Sequence, residues 1–335
     1  MKMKKLVATG LAMCMSLSLF AGITASADEV VELKWGSVHT DTSITAQMMN
    51  MAAEEINENA EGIHISVYLN GTLGGSQDLV EGVQAGLVAI ITEGPSQFAS
   101  WIPASGQVEA PYLWQSIDHM VTTLNGEYKE TLNELFDTIN VQILGTFYYG
   151  TRQLTANKEV HTLADLEGMK IRVPQADMYV KMIESWNASA TPMNLNELYM
   201  ALQTGTVDAQ ENPLTTYESN KFYEVVKNVI LTDHIICPNM FFINGDTWNN
   251  MSEHDQEVVK TAVANAIAWN NEAMVAAEEE LQQSLADDYG VKFIEPDETI
   301  REATIPFIKE LVADWDQIQS YAEYSALFWM KSRYN

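Results

Sequence analysis

Cysteine and histidine are scarce in this chain, and their scarcity excludes several kinds of site. Two cysteines occur in 335 residues, Cys14 and Cys237, which is too few for a cysteine-held metal cluster. The six histidines include no pair at the helical spacing typical of metal ligands. The sequence also lacks a nucleophile elbow, a phosphate-binding loop and a dinucleotide fingerprint. We therefore predict no cofactor and no metal, and a protein that is not an enzyme.

Basic residues are few as well. Lys and Arg together number 18 against 46 Asp and Glu, which gives a formal net charge of −28. Such a surface repels nucleic acid and anionic lipid, so neither is an expected partner. The only arginines are Arg152, Arg172, Arg301 and Arg333. A chain with so few arginines can keep them for planar, two-pronged binding of carboxylates, which lysine does less well.

Long apolar stretches are absent beyond the N-terminus. A basic start at residues 2–5 precedes an apolar stretch at 6–23 and the small-x-small site Ala25-Ser26-Ala27. Polar residues interrupt the stretch and no stop-transfer charges follow it, so it is a poor membrane anchor. We predict a signal peptide over residues 1–27, export to the periplasm or another extracytoplasmic compartment, and a mature chain that does not insert into the membrane. Lipoprotein processing at Cys14 is the alternative, although the bulky residue before it fits poorly.

The remaining 308 residues alternate between strand and helix patterns. Residues 30–39 alternate as a strand does, and Thr42 or Ser43 can cap the helix that follows. A second unit begins near Val141, with a turn at Gly150. The other predicted strands cover residues 63–69, 87–92, 142–148, 169–173, 229–235 and 240–243. This rhythm predicts a mainly parallel α/β sheet, with ligands near the carboxyl ends of the strands.

Two helices matter for the organisation of the chain. A long helix is predicted over residues 252–287, ended by Gly290. At a rise of ~1.5 Å per residue it would be about 50 Å long, which exceeds one small domain. A shorter helix is predicted over residues 197–204, with Asn196 as its cap. No single boundary divides the chain, so we expect it to cross between two domains more than once.

The arginines allow more than one interpretation from spacing alone. Arg172 lies in a strand where basic and apolar residues alternate, so its side chain points away from the apolar face. That position suits exposure to solvent at least as well as ligand binding, and the same holds for Arg152 after the predicted turn. Asn212, just before a proline, would ordinarily be a loop residue.

Longer motifs occur in order along the chain. They are NGTLGGSQ at 70–77, VQAG at 83–86, APYL at 110–113, YGTRQLT at 149–155, LEGMKIRVP at 166–174, ATPMNLNELYMALQTGTVDAQENP at 190–213 and KFYEVV at 221–226. Together these motifs strongly resemble the extracytoplasmic solute-binding subunits of TRAP (tripartite ATP-independent periplasmic) transporters, the DctP-like family. The likeness covers nearly the whole predicted mature chain, and several of its motifs are long and specific.

The resemblance implies an α/β fold of the two-domain periplasmic-binding-protein (clamshell) type, with a hinge and a long helix spanning both domains. We assign residues 28–149 plus 238–277 to domain I and 150–237 plus 278–335 to domain II. The implied function is capture of a small organic acid, such as a sugar acid, a hydroxy acid or a C4-dicarboxylate, by clamshell closure. The protein would deliver this acid to TRAP membrane subunits for uptake driven by an ion gradient. A monomer is expected.

The family's motifs also imply the site residues. The arginine of the GxKxRxP motif, which forms a two-pronged salt bridge with the ligand carboxylate, is Arg172. The arginine of YGTR and the asparagine of QENP, which complete the carboxylate site, are Arg152 and Asn212. The segment after the third strand supplies contacts to the rest of the ligand. The further candidate pocket residues are Glu93, Ser96, His39, Tyr149, Leu195 and Trp114.

Two positions depart from the family pattern. Leu195 stands where many relatives carry an aromatic ring that stacks on the ligand, and Ala209 follows Asp208 where many have glycine. Ligand identity therefore does not transfer from any one relative. Three other functions stay open: a binding module for a sensor kinase, a binding protein for an ATP-driven importer, and a secreted enzyme that uses Glu93 or Glu211. The specific motifs argue against the importer.

Overall fold

The computed structural model describes residues 30–311, except the side chain of Glu127. The predicted signal peptide, its cleavage site and the alternative at Cys14 lie outside this range. Nine strands within it form one sheet. They are β1 (Val31–Ser37), β2 (Ile63–Tyr68), β3 (Ile90–Glu93), β4 (Val141–Ala156), β5 (Lys170–Val173), β6 (Ser189–Pro192), β7 (Ala209–Pro213), β8 (Asn228–Asn244) and β9 (Lys292–Ile294).

Helices flank the sheet. They are α1 (Ile44–Asn59), α2 (Ser76–Gln84), α3 (Pro103–Gln107), α4 (Ile117–Asn125), α5 (Glu127–Phe136), α6 (Asp177–Ser185), α7 (Leu195–Gln203), α8 (Leu214–Ser219), α9 (Gly245–Asn250), α10 (Glu253–Tyr289) and α11 (Thr299–Leu311). No helix within residues 30–311 combines the length and the apolar character that crossing a membrane requires.

The sheet is mixed, whereas the sequence predicted a mainly parallel one. Its strand order is β2-β1-β3-β8-β4-β7-β5-β6, and β9 pairs with the start of β8. The pairs β1/β2, β1/β3, β5/β6 and β5/β7 are parallel, while β3/β8, β4/β8 and β4/β7 are antiparallel. The difference arises because the two long central strands, β4 and β8, run in opposite directions through the middle of the sheet.

These two central strands divide the sheet into halves. At one end, β3 pairs with Met240–Ile243 of β8. At the other end, β7 pairs with Arg152–Ala156 of β4. We call β1, β2 and β3 with the adjoining ends of β4 and β8 the first half, and β5, β6 and β7 with the opposite ends the second half. The sequence divided β8 into two strands, but it is one strand of 17 residues.

Gly150 lies inside β4 and is not the turn that the sequence indicated. The register of the β4/β8 ladder shifts between Tyr148 and Gly150, as at a β-bulge. Gly150 has φ = +126°, and a Cβ there would lie 2.5 Å from the Cβ of Pro213. Only glycine adopts such a backbone without strain. Glycine here therefore allows β4 to continue through the bulge, and the strand does not end at this residue.

The predicted long helix is confirmed as α10, which has 37 residues. Ser252 accepts a hydrogen bond from the backbone N–H of Asp255 at its start, and Gly290 ends it in the left-handed conformation. The helix packs against α1 of the first half and α8 of the second. Capping by a side chain also explains where α1 begins, because Ser43 accepts from the N–H of Ala46.

Helix α10 also holds β4 on both sides of the bulge. The N–H of Tyr148 donates to Asn271 Oδ1, and Asn270 Nδ2 donates to the Tyr148 carbonyl, each at 2.8 Å. Beyond the bulge, the N–H of Thr151 donates to Glu278 Oε1 at 2.8 Å. The three places where the chain passes between the halves, β4, β8 and α10, therefore meet in one region.

The predicted domain boundaries fall in that region. Gly150 is in register with Cys237 of β8, and Glu278 is the residue of α10 that contacts β4 beyond the bulge. The boundaries and the division into two moving domains stay predictions. The start of α7 also differs from the prediction. This helix begins at Leu195, after Asn194, whose backbone is extended with ψ = 151°. The predicted cap Asn196 therefore lies inside that helix.

Candidate functional site

A cavity lies between the two halves, beside the bulge in β4. Its volume, counted as the space that can hold the centre of a water molecule, is about 60 Å³, and the cavity is partly open to solvent. Residues from both halves form its wall. Of the nine residues predicted from the sequence, the eight that line it are His39, Glu93, Ser96, Tyr149, Arg152, Arg172, Leu195 and Asn212. The fold thus brings together side chains that lie as much as 173 positions apart in the chain.

Trp114 is the ninth candidate, and it is not part of the wall. Its indole is buried, and Nε1 donates to the carbonyl of Val108 at 2.9 Å. Its ring meets the His119 ring edge-on, with 5.5 Å between the centroids. Trp114 therefore packs within the first half and does not face the cavity.

Arg172, on β5, is a buried cation that has no acidic partner within residues 30–311. Its side chain is 3% exposed, and Nε and Nη2 both donate to the carbonyl of Met193, at 3.0 and 2.7 Å. Its guanidinium forms no salt bridge with any acidic side chain that the structure describes. Burial lowers the pKa of Arg172 to about 10, so the group stays charged at neutral pH. A buried charge of this kind is costly unless an opposite charge joins it.

Arg152, on β4, is already paired. Its Nε and Nη2 donate to the two carboxylate oxygens of Glu211 at 2.5 and 2.8 Å, and Nη2 also donates to the Glu211 carbonyl. His234 Nε2 lies 3.0 Å from Glu211 Oε2. Burial opposes the charge of Glu211, but Arg152 and His234 together hold the pKa of Glu211 below its ordinary value. The Arg152–Glu211 pair is thus ionised, and its charges cancel.

This pairing limits what Arg152 can offer a ligand. The predicted role was to complete the carboxylate site beside Arg172. Two of its three guanidinium nitrogens are engaged by Glu211, and the third, Nη1, lies 3.8 Å from Cys237 Sγ. The guanidinium carbon also stands 4.9 Å from the centre of the Tyr179 ring. Only Nη1 is left to meet a ligand directly.

Two carboxyl groups, Glu93 and Glu109, line the cavity from the first half. Glu109 accepts hydrogen bonds from the N–H of Ser96 at 2.8 Å, the hydroxyl of Ser96 at 3.1 Å and the hydroxyl of Tyr179. Burial raises the pKa of Glu109. Ser96 is therefore a structural partner of Glu109, with both its backbone N–H and its side chain committed.

Glu93 ends β3 and has an unfilled acceptor. It is 5% exposed, and its Oε1 has no hydrogen-bond partner among the residues that the structure describes. Burial, with a smaller contribution from Glu109, raises the pKa of Glu93 to about 8, against the opposing effects of Ser76, Gly94 and Arg172. Glu93 is therefore mostly protonated at neutral pH.

Neutral groups form the rest of the wall. His39 Nδ1 lies 2.6 Å from the Ser37 hydroxyl, and burial lowers the pKa of His39 to about 4, so its ring is uncharged at neutral pH. The ring meets Tyr149 edge-on at 5.1 Å, and the Tyr149 hydroxyl accepts from Thr216 at 2.7 Å. Leu195 adds an apolar surface at the start of α7.

An amide chain orients Asn212 on β7. Its Nδ2 donates to Gln210 Oε1 at 2.6 Å, and Gln210 Nε2 donates to the Thr155 hydroxyl at 2.7 Å. This chain fixes the amide of Asn212 so that its oxygen is left without a committed donor in the described contacts. No group of His, Cys, Asp and Glu within residues 30–311 is arranged to hold a metal ion.

Comparison with known proteins identifies the family. Residues 35–318 match the family described as bacterial extracellular solute-binding protein, family 7. The chain belongs to this family. The resemblance inferred from the sequence motifs is therefore confirmed, and the family is one of transport components, not of enzymes.

Relatives of this family-7 protein are similar over most of their length. The sialic acid-binding periplasmic protein SiaP of Vibrio cholerae is 32% identical over 289 residues, which cover 85% of this chain and 90% of that protein. A TRAP periplasmic solute-binding protein from Chromohalobacter salexigens, solved with bound D-glucuronate, is 28% identical with a TM-score of 0.81, covering 86% of this chain and 97% of that one. One from Roseobacter denitrificans, solved with bound L-galactonate, is 29% identical with a TM-score of 0.79, covering 84% and 99%. The two-domain binding-protein fold is thereby confirmed.

The sequence did not predict several residues of the site as binding-site residues. Glu109 and Tyr179 contact each other from elements 70 positions apart, and nothing in their local sequence marks them. His234 reaches Glu211 from β8 in the same way. Glu211 itself stands next to Asn212 in the QENP motif, so the motif was a usable signal, but its pairing with an arginine requires the folded sheet.

Proposed function

We propose that this family-7 protein captures a small organic acid outside the cytoplasm, binds its carboxylate at Arg172, and delivers it to the membrane subunits of a TRAP transporter. The observation that carries the proposal is the buried guanidinium of Arg172, which has no acidic partner among the described residues. The protein acts as a binding protein and not as an enzyme. It works as a monomer.

Electrostatics supports a single carboxylate as the ligand's charged group. The surface as a whole is acidic, with a formal net charge of −28, and so disfavours anions at a distance. Inside the cavity, the charges of Arg152 and Glu211 cancel, which leaves Arg172 as an uncompensated cation. A ligand carboxylate supplies the missing counter-ion through charge-assisted hydrogen bonds, while Arg152 Nη1 and the Asn212 oxygen are placed in the same wall.

The relatives suggest the chemical class of the acid. Proteins similar to this one are named for sialic acid or solved with D-glucuronate or L-galactonate. All three are acids with several hydroxyl groups. We therefore propose a sugar acid, held by hydrogen bonds from the polar wall, since Leu195 leaves the cavity without a stacking ring at that position.

Closure of the two halves over the ligand completes the proposed mechanism. In the structure the two halves contact each other directly. Gln77 Nε2 of α2 donates to the carbonyl of Gln175 at 3.4 Å, and the Tyr179 hydroxyl of α6 donates to Glu109. A ligand that contacts both halves stabilises this closed arrangement over an open one. Small-angle scattering should then show a smaller radius of gyration with ligand than without it.

A thermal-shift screen against a panel of organic acids tests the proposal. A ligand at ~100 times its dissociation constant should stabilise the protein by about 2.7 kcal/mol. The same ligand concentration should shift an Arg172→Ala variant much less, by about 1 kcal/mol or less. Arg301→Ala is the matched control, because Arg301 lies over the Tyr112 ring away from the cavity and should leave the shift intact. A shift in Arg172→Ala equal to that of wild type would contradict the assignment of Arg172 as the carboxylate-binding residue. If no acid shifts the wild-type protein, the proposed capture of an organic acid is contradicted.

Export is tested separately. Intact-mass measurement of the secreted protein should show cleavage after Ala27, as the small-x-small site predicts. A lipid attached to Cys14 would instead establish lipoprotein processing.

A further inference from the structure

Two short segments bring the halves into contact beside the cavity. Residues 71–77 lead from β2 into α2 in the first half, and residues 193–196 lead from β6 into α7 in the second. We call these two segments the seam. Ser76 on one side of the seam and Leu195 on the other both line the cavity. The seam therefore borders the ligand site.

Gly75 lies directly against Asn194 of the other half. A Cβ at position 75 would lie 2.3 Å from Asn194 Oδ1, 2.5 Å from Asn194 Cγ and 2.7 Å from Asn194 Nδ2. These separations are far shorter than the ~3.5–4.0 Å at which non-bonded carbon atoms attract each other. The amide of Asn194 therefore occupies the space that any side chain at position 75 would need.

The local backbone does not require glycine at position 75. Its φ of −76° and ψ of −178° are extended values that any residue adopts. The neighbouring Gly74 differs, because its φ of +120° favours glycine. Gly75 is also the N-cap of α2, where serine, asparagine or aspartate would add a side-chain hydrogen bond that glycine lacks. The contact with Asn194 is therefore what accounts for glycine at this position.

The contact is steric and adds no hydrogen bond for Asn194. Its Oδ1 is buried and has no hydrogen-bond partner within residues 30–311, while Nδ2 donates only to Glu197 Oε1, at 3.4 Å. Asn194 precedes α7, but its side chain makes no capping hydrogen bond. Because Gly75 lies against this amide, separation of the halves would let the oxygen regain a water partner. The seam therefore closes against a small energetic cost, which a bound ligand must offset.

Resting on the proposed function, we infer that Gly75 is a positioning residue that permits full closure of the halves over a ligand, because only a residue without a side chain lets Asn194 come this close. Gly75 itself does not line the cavity. The segment that holds Asn194 also carries the Met193 carbonyl, which accepts two hydrogen bonds from Arg172. A side chain at position 75 would push this segment, and with it one wall of the cavity, away from the first half. Ligand affinity therefore depends on a residue that does not touch the ligand.

Gly75→Ala tests the inference by adding one methyl group to the seam. We would titrate the variant calorimetrically at pH 7 with D-glucuronate, L-galactonate and sialic acid. Every acid that wild type binds should bind roughly ten- to a hundredfold more weakly, as expected when a close contact is overpacked. With saturating ligand, small-angle scattering should give a larger radius of gyration for the variant than for wild type. Thr72→Ala, an exposed substitution in the same segment, is the matched control and should change neither measurement.

Gly75→Ser provides a second variant whose fold is protected. Serine adds the same Cβ at the seam, but it is also a favourable N-cap for α2. Its melting temperature without ligand should therefore be close to that of wild type. Its affinity for the same acids should nevertheless fall as far as that of Gly75→Ala.

Asn194→Ala provides a compensating change in the opposite half. It removes the three atoms that a Cβ at position 75 would meet, and α7 loses no capping hydrogen bond. Alone, it should bind the acids at least as tightly as wild type, because a buried oxygen without a partner has been removed. Combined with Gly75→Ala, it should restore most of the lost affinity. A purely local role of Gly75 in its own loop would not be rescued from the other half.

The outcomes separate the inference from the proposed function. Wild-type affinity in folded Gly75→Ala and Gly75→Ser would overturn the inference, since the Asn194 amide would then turn aside without holding the halves apart. The proposed function would still stand if Arg172→Ala weakened binding of the same acid. Failure of Asn194→Ala to restore affinity in the double variant would also overturn the inference. If none of the three acids binds wild type, the proposed capture of a sugar acid fails, and the inference fails with it.

Discussion

The two arginines of the cavity have the same side chain and opposite surroundings. Around Arg152, the carboxylate of Glu211 makes two hydrogen bonds and stays ionised. Around Arg172, the only acceptor bound within residues 30–311 is the Met193 carbonyl, and Glu93, which lines the same cavity, makes no salt bridge with it. An arginine whose charge is balanced inside the protein supports the fold, whereas one whose charge is not balanced is available for an anionic ligand. Identical motif residues can therefore have different roles.

Removal of Arg152 should have the largest effect, and the effect should be on stability. Arg152→Ala leaves the Glu211 carboxylate buried and without its cation, which typically costs about 3–5 kcal/mol. Urea denaturation should show this loss, while Arg301→Ala, at an exposed ion pair, should change the free energy of unfolding by less than about 1 kcal/mol. Adding Glu211→Gln to Arg152→Ala should restore part of the stability. Equal stability of Arg152→Ala and wild type would remove the contrast between the two arginines.

Removal of Arg172 should affect affinity and spare the fold. A bound carboxylate deprived of its main partner loses about 2–5 kcal/mol, or roughly thirty- to several-thousand-fold in affinity. Arg172→Lys should recover only part of this loss, because it restores the charge without the planar fork. Titration calorimetry measures the affinity, and the melting temperature of Arg172→Ala without ligand should not fall, since an unpaired buried charge has been removed. A variant that unfolds would show that Arg172 is structural after all.

The stabilities contributed by the Glu93 and Glu211 carboxyl groups should respond to pH in opposite ways. The pKa of Glu93 is raised from 4.5 to about 8 by burial, so the folded protein holds this proton more tightly than the unfolded chain does. The stability that this group contributes is therefore greatest at or below pH 4.5 and is lost as the pH rises from 4.5 to about 8. Glu93→Gln removes that loss. The Glu93→Gln variant should be more stable than wild type at pH 8 by on the order of 1–2 kcal/mol. This gain is smaller than the full pKa shift of Glu93 implies, because the amide of the variant must also be buried.

Glu211→Gln provides the opposite case. Because the pKa of Glu211 is lowered, its ionised form stabilises the fold at neutral pH, and its replacement should destabilise the protein there. Denaturation of both variants at pH 5 and pH 8 tests the pair. If Glu93→Gln gains no stability over wild type between these pH values, Glu93 is not the protonated group described here.

Local signals predicted the parts of the fold that local physics controls. Ser43 and Ser252 cap helices through their own side chains, and Gly290 ends α10 in the left-handed conformation that glycine favours. In the site, the motif containing Arg172 predicted the strand β5, and Arg172 lines the cavity from that strand. These features depend on neighbours within a few positions along the chain.

The features of the fold and the site that the sequence did not predict depend on pairing between segments that are distant in the chain. Gly150 usually indicates a turn, but the paired strand β8 carries β4 through it as a bulge. Likewise, the sequence predicted a break in β8 at residues 236–239, but pairing with Phe147–Thr151 of β4 carries β8 through this stretch as one strand. The contrast between the two arginines was also inaccessible, since it depends on the position of Glu211 across the sheet. Conformations that only a distant strand can stabilise leave no periodic signal of their own.

The passage of the chain between the halves has a consequence for biosynthesis. The first half is assembled from two distant pieces, because β3 must pair with Met240–Ile243 and α1 must pack against α10. As the polypeptide emerges from the ribosome, β3 is therefore made long before its neighbour, and an unpaired strand edge invites aggregation. A fragment ending at residue 149 would retain that open edge permanently. We expect the protein to reach its native state as one cooperative unit, only after nearly all of its chain has been synthesised.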